Sequence, residues 1–342
     1  MSKIKHFYVF DFLKNFFKWH NIPMMIYLLM NLLFIYLGTV VFVSSGIMAY
    51  YDENPAEMTI DVSSNEFYLV TAAIIVLVYF LAICISLSPI GEWILRKKLH
   101  CNVIEDEYIL KRIYPIFQEV YSAAREISPA ISDDVKIFIQ QSDDENAFAV
   151  GRRSVCITTG LLRCSNDEIK GILGHEFGHL AHKDTDMNLV VNIANWMTNI
   201  IFLFAWIVIY ALKFSLKISK FVISIFSDGL GSLISLYEIF INIVTFLSVY
   251  LFQKLWLIIG NLLLLAKSRG AEYKADEFSY ELGYGDGLLE FFYKLPDAIK
   301  GNKNPFKRFI AALATVGATH PSTWKRIESI QKLDSKQLEL QK

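Results

Sequence analysis

Residues 19–51 contain no Asp, Glu, Lys or Arg, and the middle of that stretch reads MMIYLLMNLLFIYLGTVVFV. A helix crossing a bilayer needs about 20 apolar residues, so the run is long enough to span with residues to spare. In lipid every backbone polar group must be satisfied within the segment, which leaves the α-helix as its conformation. The run also exceeds the roughly 7–15-residue apolar core of a signal peptide, so it is read as a retained anchor.

Three further runs repeat the pattern. Phe67–Ile90 and Met187–Leu212 carry no charge. The fourth, Gly229–Ala266, carries Glu238 and Lys254. The piece between those charges, IFINIVTFLSVYLFQ, covers only about 24 Å at the helical rise. A span over 231–253 is therefore expected, with both charges near the interfaces, where long side chains reach water. The remainder to Ala266 is expected as a helix leaving the membrane; a hairpin lying in the membrane plane is the alternative. Hydrophobic residues make up 54% of the 342 residues, against roughly 45–50% in soluble domains. The formal net charge of -1 gives no basic field for nucleic acid, and no such partner is expected.

Lys and Arg in the connections set the orientation. The N-terminal tail has Lys3, Lys5, Lys14 and Lys18, whereas the first connection has Asp52, Glu53, Glu57, Asp61 and Glu66 and no basic residue. Arg96, Lys97 and Lys98 follow the second run, and Lys267 and Arg269 follow the fourth. Both termini are therefore expected in the cytoplasm. Lys213, Lys217 and Lys220 oppose this assignment; their alternation with apolar residues is read as a segment lying along the membrane surface. The N-terminal FYVFDFLKNFFKWH reads either as a surface-lying helix or as ordinary flanking sequence. Cys84, Cys101, Cys156 and Cys164 form no C-x-x-C pair and are expected to be free thiols in a reducing compartment.

Residues 91–185 read as a soluble unit. A helix is expected from about Glu105 to Ile127, kinked at Pro115. Short strands are expected at 135–141, 146–151 and 154–162, rich in β-branched and aromatic residues. Ser165 with Glu168 is a capping box, so a helix should start near Asn166. No Gly or Pro lies between His179 and the third run, so this helix is expected to continue into the membrane.

That helix contains His175-Glu176-Phe177-Gly178-His179. Positions i and i+4 share a helix face, so both imidazoles can hold one zinc ion while Glu176 takes a proton from water. A catalytic zinc takes three protein ligands and keeps one position open. The segment SRGAEYKAD offers Glu272 as the third ligand; a surface carboxylate fits the residues equally well. Asp276, one helical turn later, could hydrogen-bond a zinc-binding imidazole and fix its tautomer. Two membrane crossings separate the His pair from Glu272, an even number, as convergence requires. His182 reads as a surface residue, and Asn146 as a turn residue.

HEFGH, SRGAEYKAD and THPSTWKRIESI together resemble the HtpX-type membrane heat-shock proteases, relatives of the CAAX prenyl endopeptidases. The likeness covers roughly 100–330 and the four-span layout. It implies a zincin-type (gluzincin-like) α+β catalytic domain with a small β-sheet, attached to four transmembrane helices in a mainly α membrane protein. It implies one Zn2+ on His175, His179 and Glu272, and Glu176 as general base. It also implies a substrate in extended conformation beside Asn146 and Ala147, and His320 near the tetrahedral oxyanion, with Arg326 matching the Arg that follows. The CAAX enzymes carry more spans, so the bacterial branch fits better. A multi-pass protein of the cell inner (plasma) membrane is implied, with its active site cytoplasmic and a role in stress response and protein quality control. The other classes weighed are a non-catalytic zinc-binding scaffold, a CAAX-type prenyl-protein endopeptidase and a transporter.

The expected organisation is a cytoplasmic segment at 1–20 and a transmembrane hairpin at 21–90, with spans about 23–48 and 67–89. The first part of the catalytic domain follows at 91–185. A second transmembrane pair occupies 186–253, with spans about 187–212 and 231–253, and the second catalytic part is 254–342.

Overall fold

The computed structural model describes residues 16–17, 21–55, 58–225, 228–295 and 322–340, with side chains except at 224, 228–232, 261–269 and 336–340. The expectations for the N-terminal aromatic segment and for His320 lie outside the described residues. The described chain is mainly α, with one small sheet, and it divides into two compact units.

One unit comprises 26–81 and 192–263. Its helices come from α1 (Ile22–Glu53), α2 (Asn65–Ser86), α6 (Asp184–Ser224), α7 (Asp228–Thr245), a π turn (Phe246–Tyr250) and α8 (Leu251–Glu281). Among the described residues, four stretches are long and apolar enough to cross a membrane: Ile22–Glu53, Asn65–Ser86, Asp184–Ile223 and Leu233–Gly260. Phe34 gathers Phe202, Phe252 and Trp256 around it, with ring centroids 5.0–5.6 Å away. Buried Asn31 accepts from the Thr198 hydroxyl at 2.6 Å and from the Trp256 indole at 3.4 Å. In a hydrocarbon solvent such side-chain bonds join helices that hydrophobicity alone does not.

Two helix boundaries differ from the sequence reading. The second apolar run ends at Ser86, because the Ser88 hydroxyl caps a new helix, α3 (Pro89–Lys98), by accepting from Ile90 N. The helix expected beyond 253 is present and continues through the π turn to Glu281. The Lys254 amine lies 5.5 Å from the Tyr250 ring centroid. The basic 213–220 segment continues α6 to Ser224, and Lys220 lies 4.0 Å from Glu238.

The other unit comprises 82–191 and 264–342 together with the N-terminal residues. After α3 come α4 (Glu107–Ile127), β1 (Lys136–Gln140), β2 (Ala147–Val150), β3 (Ser154–Thr158), a 3-10 turn (Gly160–Arg163) and α5 (Asn166–His182). The C-terminal part of α8, α9 (Gly285–Lys294) and α10 (Thr323–Leu340) complete it. Pro115 sits inside α4, which continues as one 21-residue helix. In the sheet β3 is central, parallel to β1 and antiparallel to β2, which leaves β2 at an edge. The apolar face of α4 (Ile113, Phe117, Val120, Tyr121) packs with Ile169, Leu173 and Phe177 of α5, Leu288 and Phe292 of α9, and Ile330 of α10. Tyr121 stacks on Phe117 and Phe177, and the three ring centroids are 5.5–5.7 Å apart. All four cysteines are free.

Candidate active site

The helix α5 begins where its sequence calls for it: Ser165 accepts from Glu168 N, and the Glu168 carboxylate accepts from Ser165 N. It ends at His182. The expected run into the membrane is interrupted by Lys183, whose backbone is left-handed at φ 60°. That conformation costs a non-glycine residue roughly 1–2 kcal/mol, and here it turns the chain so that α6 starts at Asp184. The signal that could have located the break is the pair Asp184 and Asp186 in the first turn of α6, since acidic residues favour helix N-termini.

Two glycines of α5 admit α8. A Cβ on Gly178 would lie 2.7 Å from Ala275 Cα, and one on Gly174 would lie 2.8 Å from Ser279 Oγ. The Ser279 hydroxyl donates to Gly171 O at 2.8 Å. This close approach carries Glu272 to the histidines. His175 Nε2 and His179 Nε2 are 3.2 Å apart. Glu272 reaches His175 Nε2 through Oε2 and His179 Nε2 through Oε1, each at 3.5 Å. Among the described residues, these three form the group whose donor atoms converge as a metal site would need. Ligands 2.0–2.1 Å from a tetrahedral ion stand about 3.4 Å from one another. Two imidazoles and a carboxylate at 3.2–3.5 Å therefore fit a divalent ion without rearrangement.

The surroundings orient these groups. Asp276 Oδ1 lies 2.8 Å from His175 Nδ1, and Asp184 Oδ2 lies 3.4 Å from His179 Nδ1. Each contact turns an Nε2 toward the shared centre. Arg326, buried on α10, donates to both carboxylate oxygens of Asp276, at 2.8 and 2.5 Å, and its Nη1 lies 3.4 Å from Glu272. Burial opposes the charge of Asp276, but the bonds from Arg326 hold its carboxyl below the usual carboxylate range. Burial also opposes protonation of His179, yet the carboxylates of Asp184 and Glu272 outweigh it and raise its pKa to about 10. Asp276, Glu272 and Glu176 thus lie around the Arg326 guanidinium and Asp184 beside His179, a set of carboxylates that suits a cation.

Buried Glu176 is held from the sheet: Ala149 N donates to its Oε2 at 2.8 Å. Because Thr158 N donates to Asn146 O, ladder alternation turns the backbones of Ala147 and Ala149 away from β3, toward the open edge. The Ala147 side chain is buried in the core and the Asn146 side chain is exposed. Any contact of Ala147 with an extended peptide would therefore be through its main chain. Sequence reasoning missed Asp184 and Ala149, and it gave Arg326 no role.

A model of peptidase family M48 matches residues 116–334. A Protease HtpX homolog of Bacillus pumilus is 30% identical over 212 residues, which cover 57% of this chain and 62% of that protein. Protease HtpX of Shewanella baltica is 26% identical over 259 residues, covering 72% of this chain and 83% of the relative. The chain thus spans less than two thirds of the Bacillus relative. Among solved structures, S. mikatae Ste24p aligns at 19% identity and a TM-score of 0.37, covering 89% of this chain and 66% of that one.

Proposed function

Because the chain belongs to peptidase family M48, we propose that it is a zinc-dependent endopeptidase of a membrane, with His175, His179 and Glu272 as the metal ligands. The observation that carries this reading is the set of separations among the three donors, 3.2–3.5 Å, which matches the edges of a tetrahedron around zinc. Zinc, when bound, supplies a Lewis acid that makes water nucleophilic near neutral pH.

The remaining roles fall to this chain's side chains. Glu176 takes the proton of the attacking water and hands it to the leaving amine. Its Oε2 is held by Ala149 N, so the carboxylate does not have to find its orientation during the reaction. Asp276 and Asp184 keep the two imidazoles in the tautomer that presents Nε2. The substrate lies extended along the open edge of β2, pairing with Ala147 by main-chain bonds beside Asn146. Such pairing recognises backbone and gives a loose sequence preference. By the family resemblance, His320 donates to the tetrahedral oxyanion, and the task is removal of misfolded membrane proteins at the cytoplasmic face of the inner membrane.

The test uses the purified full-length protein in detergent with unfolded casein as substrate. Cleavage should stop with a chelator and return with zinc, and Glu176→Gln should bind zinc without cleaving. Activity surviving Glu176→Gln would overturn the mechanism. Zinc binding with no cleavage of any substrate would favour a scaffold.

A further inference from the structure

The helix α3 (Pro89–Lys98) has one face committed to its own unit and one face that the unit does not use. The inner face carries Glu92, Leu95, Arg96 and Leu99. Glu92 is buried; its Oε1 accepts from the Ser154 hydroxyl at 2.6 Å and from Arg153 N at 3.1 Å, and its Oε2 accepts from Arg152 N at 3.4 Å. Arg96 stacks on the Phe138 ring at 4.6 Å, and Leu95 and Leu99 pack on the cluster of Cys101, Phe138, Val150 and Cys156. These contacts fix the rotation of the helix about its axis.

The outer face is then Ile90, Trp93, Ile94 and Lys97, spaced i, i+3, i+4, i+7. Ile90 is 62% exposed, Trp93 52% and Ile94 50%. A tryptophan and two isoleucines on one outward stripe of a ten-residue helix is an apolar face that water does not favour. The last turn adds Arg96, Lys97 and Lys98, and Lys97 and Lys98 are exposed. Glu92, the one acid of this helix, is turned inward, so the helix places no acid of its own on the outer face.

Chain connectivity says what covers this face. The second apolar helix ends at Ser86 and α3 starts at Pro89. Three residues reach at most about 11 Å, and the headgroup zone on each side of a bilayer is roughly 5–8 Å thick. A helix tethered so closely to a span starts in or beside that zone. Tryptophan prefers that depth, amphipathic helices lie there with the apolar face down, and lysines beside it attract anionic headgroups.

We propose that α3 is a lipid-binding helix, with Ile90, Trp93 and Ile94 in the acyl boundary and Lys97 and Lys98 on the phosphates of anionic lipids. Through Glu92 the same helix holds the Gly151–Arg153 turn that follows β2, so lipid seating also fixes the edge strand. The proposal rests on the membrane reading of Asn65–Ser86 and not on the metal site.

The test places a photo-crosslinking benzoylphenylalanine at position 94 of the full-length protein in nanodiscs of phosphatidylcholine, alone or mixed with phosphatidylglycerol. Position 77, exposed in mid-span, and position 108, exposed on α4, serve as references. Position 94 should give phospholipid adducts as position 77 does, and position 108 should not. Phosphatidylglycerol should be enriched among the adducts at 94, with the enrichment falling roughly fivefold for each of Lys97→Gln and Lys98→Gln. Adducts at 77 with none at 94 above the level at 108 would overturn the proposal and leave the span intact. Crosslinks from 94 to a second copy of the chain would also overturn it. Absence of lipid adducts at 77 would remove the premise, and the proposal with it.

Discussion

Gly178 of α5 faces Ala275 of α8 so closely that a Cβ on the glycine would lie 2.7 Å from the alanine Cα. The obstacle is backbone, which cannot swing aside as a side-chain tip can. Alanine is the better helix former by about 1 kcal/mol, so local preference alone would favour Gly178→Ala. The contact predicts the opposite. Displacing α8 by about 1 Å should separate Glu272 from the imidazoles and lower turnover roughly 100-fold. Zinc content by elemental analysis, read beside casein cleavage, checks this; full occupancy with normal turnover would show that the glycine seam does not set the ligand spacing.

Asp184 orients His179 and, with Lys183, forms the break before α6. Asp184→Asn should weaken zinc about 10–100-fold, as expected when the partner of a metal-binding imidazole is lost. Lys183→Gly should instead relieve the left-handed strain and leave zinc affinity unchanged. Competition against a zinc indicator distinguishes the two effects, and equal losses in both variants would count against the assignment to Asp184.

Arg152, in the turn after β2, is held by Asp186 through Nε to Oδ1 at 2.7 Å and Nη2 to Oδ2 at 2.5 Å. The Asp186 side chain is buried. Removing one partner of a buried pair costs about 3–5 kcal/mol, so Asp186→Ala should lower the thermal midpoint by several degrees. Since the same turn ends the edge strand, KM should rise more than kcat falls. A variant with lowered stability and unchanged KM would separate the pair from substrate binding.

The pKa of His179, raised to about 10 by the Asp184 and Glu272 carboxylates against its burial, gives metal affinity a sign with pH. Binding needs the neutral imidazole, so at any pH below that value the ion displaces a proton. Zinc affinity should rise about tenfold for each pH unit between 6 and 8. Calorimetry in buffers of differing ionisation enthalpy should count about one proton released from His179. An affinity flat across this range would mean that the imidazole is already neutral.

Much of this was legible in the chain because the signals are periodic and local. Long uncharged runs report helices in lipid, and the three short strands reported themselves through β-branched and aromatic residues. The Ser165–Glu168 box located the start of α5 because a cap is a contact three residues long. The parts that were not legible depend on tertiary context. Lys183 adopts a conformation that few non-glycine residues do, so nothing in its own type marks the helix end. Asp184 resembles any solvated acid until the turn aims it at His179. Glu272 and a surface carboxylate are identical in sequence; the difference is the glycine seam that brings α8 close.

Glu272 follows His179 by 93 positions and sits on α8, whose first residues belong to the Leu233–Gly260 apolar stretch. During synthesis the histidines therefore leave the ribosome well before their third partner. On the proposed ligand set, the three donors come together only after the Leu233–Gly260 stretch has emerged, so a half-made chain carries an incomplete metal site.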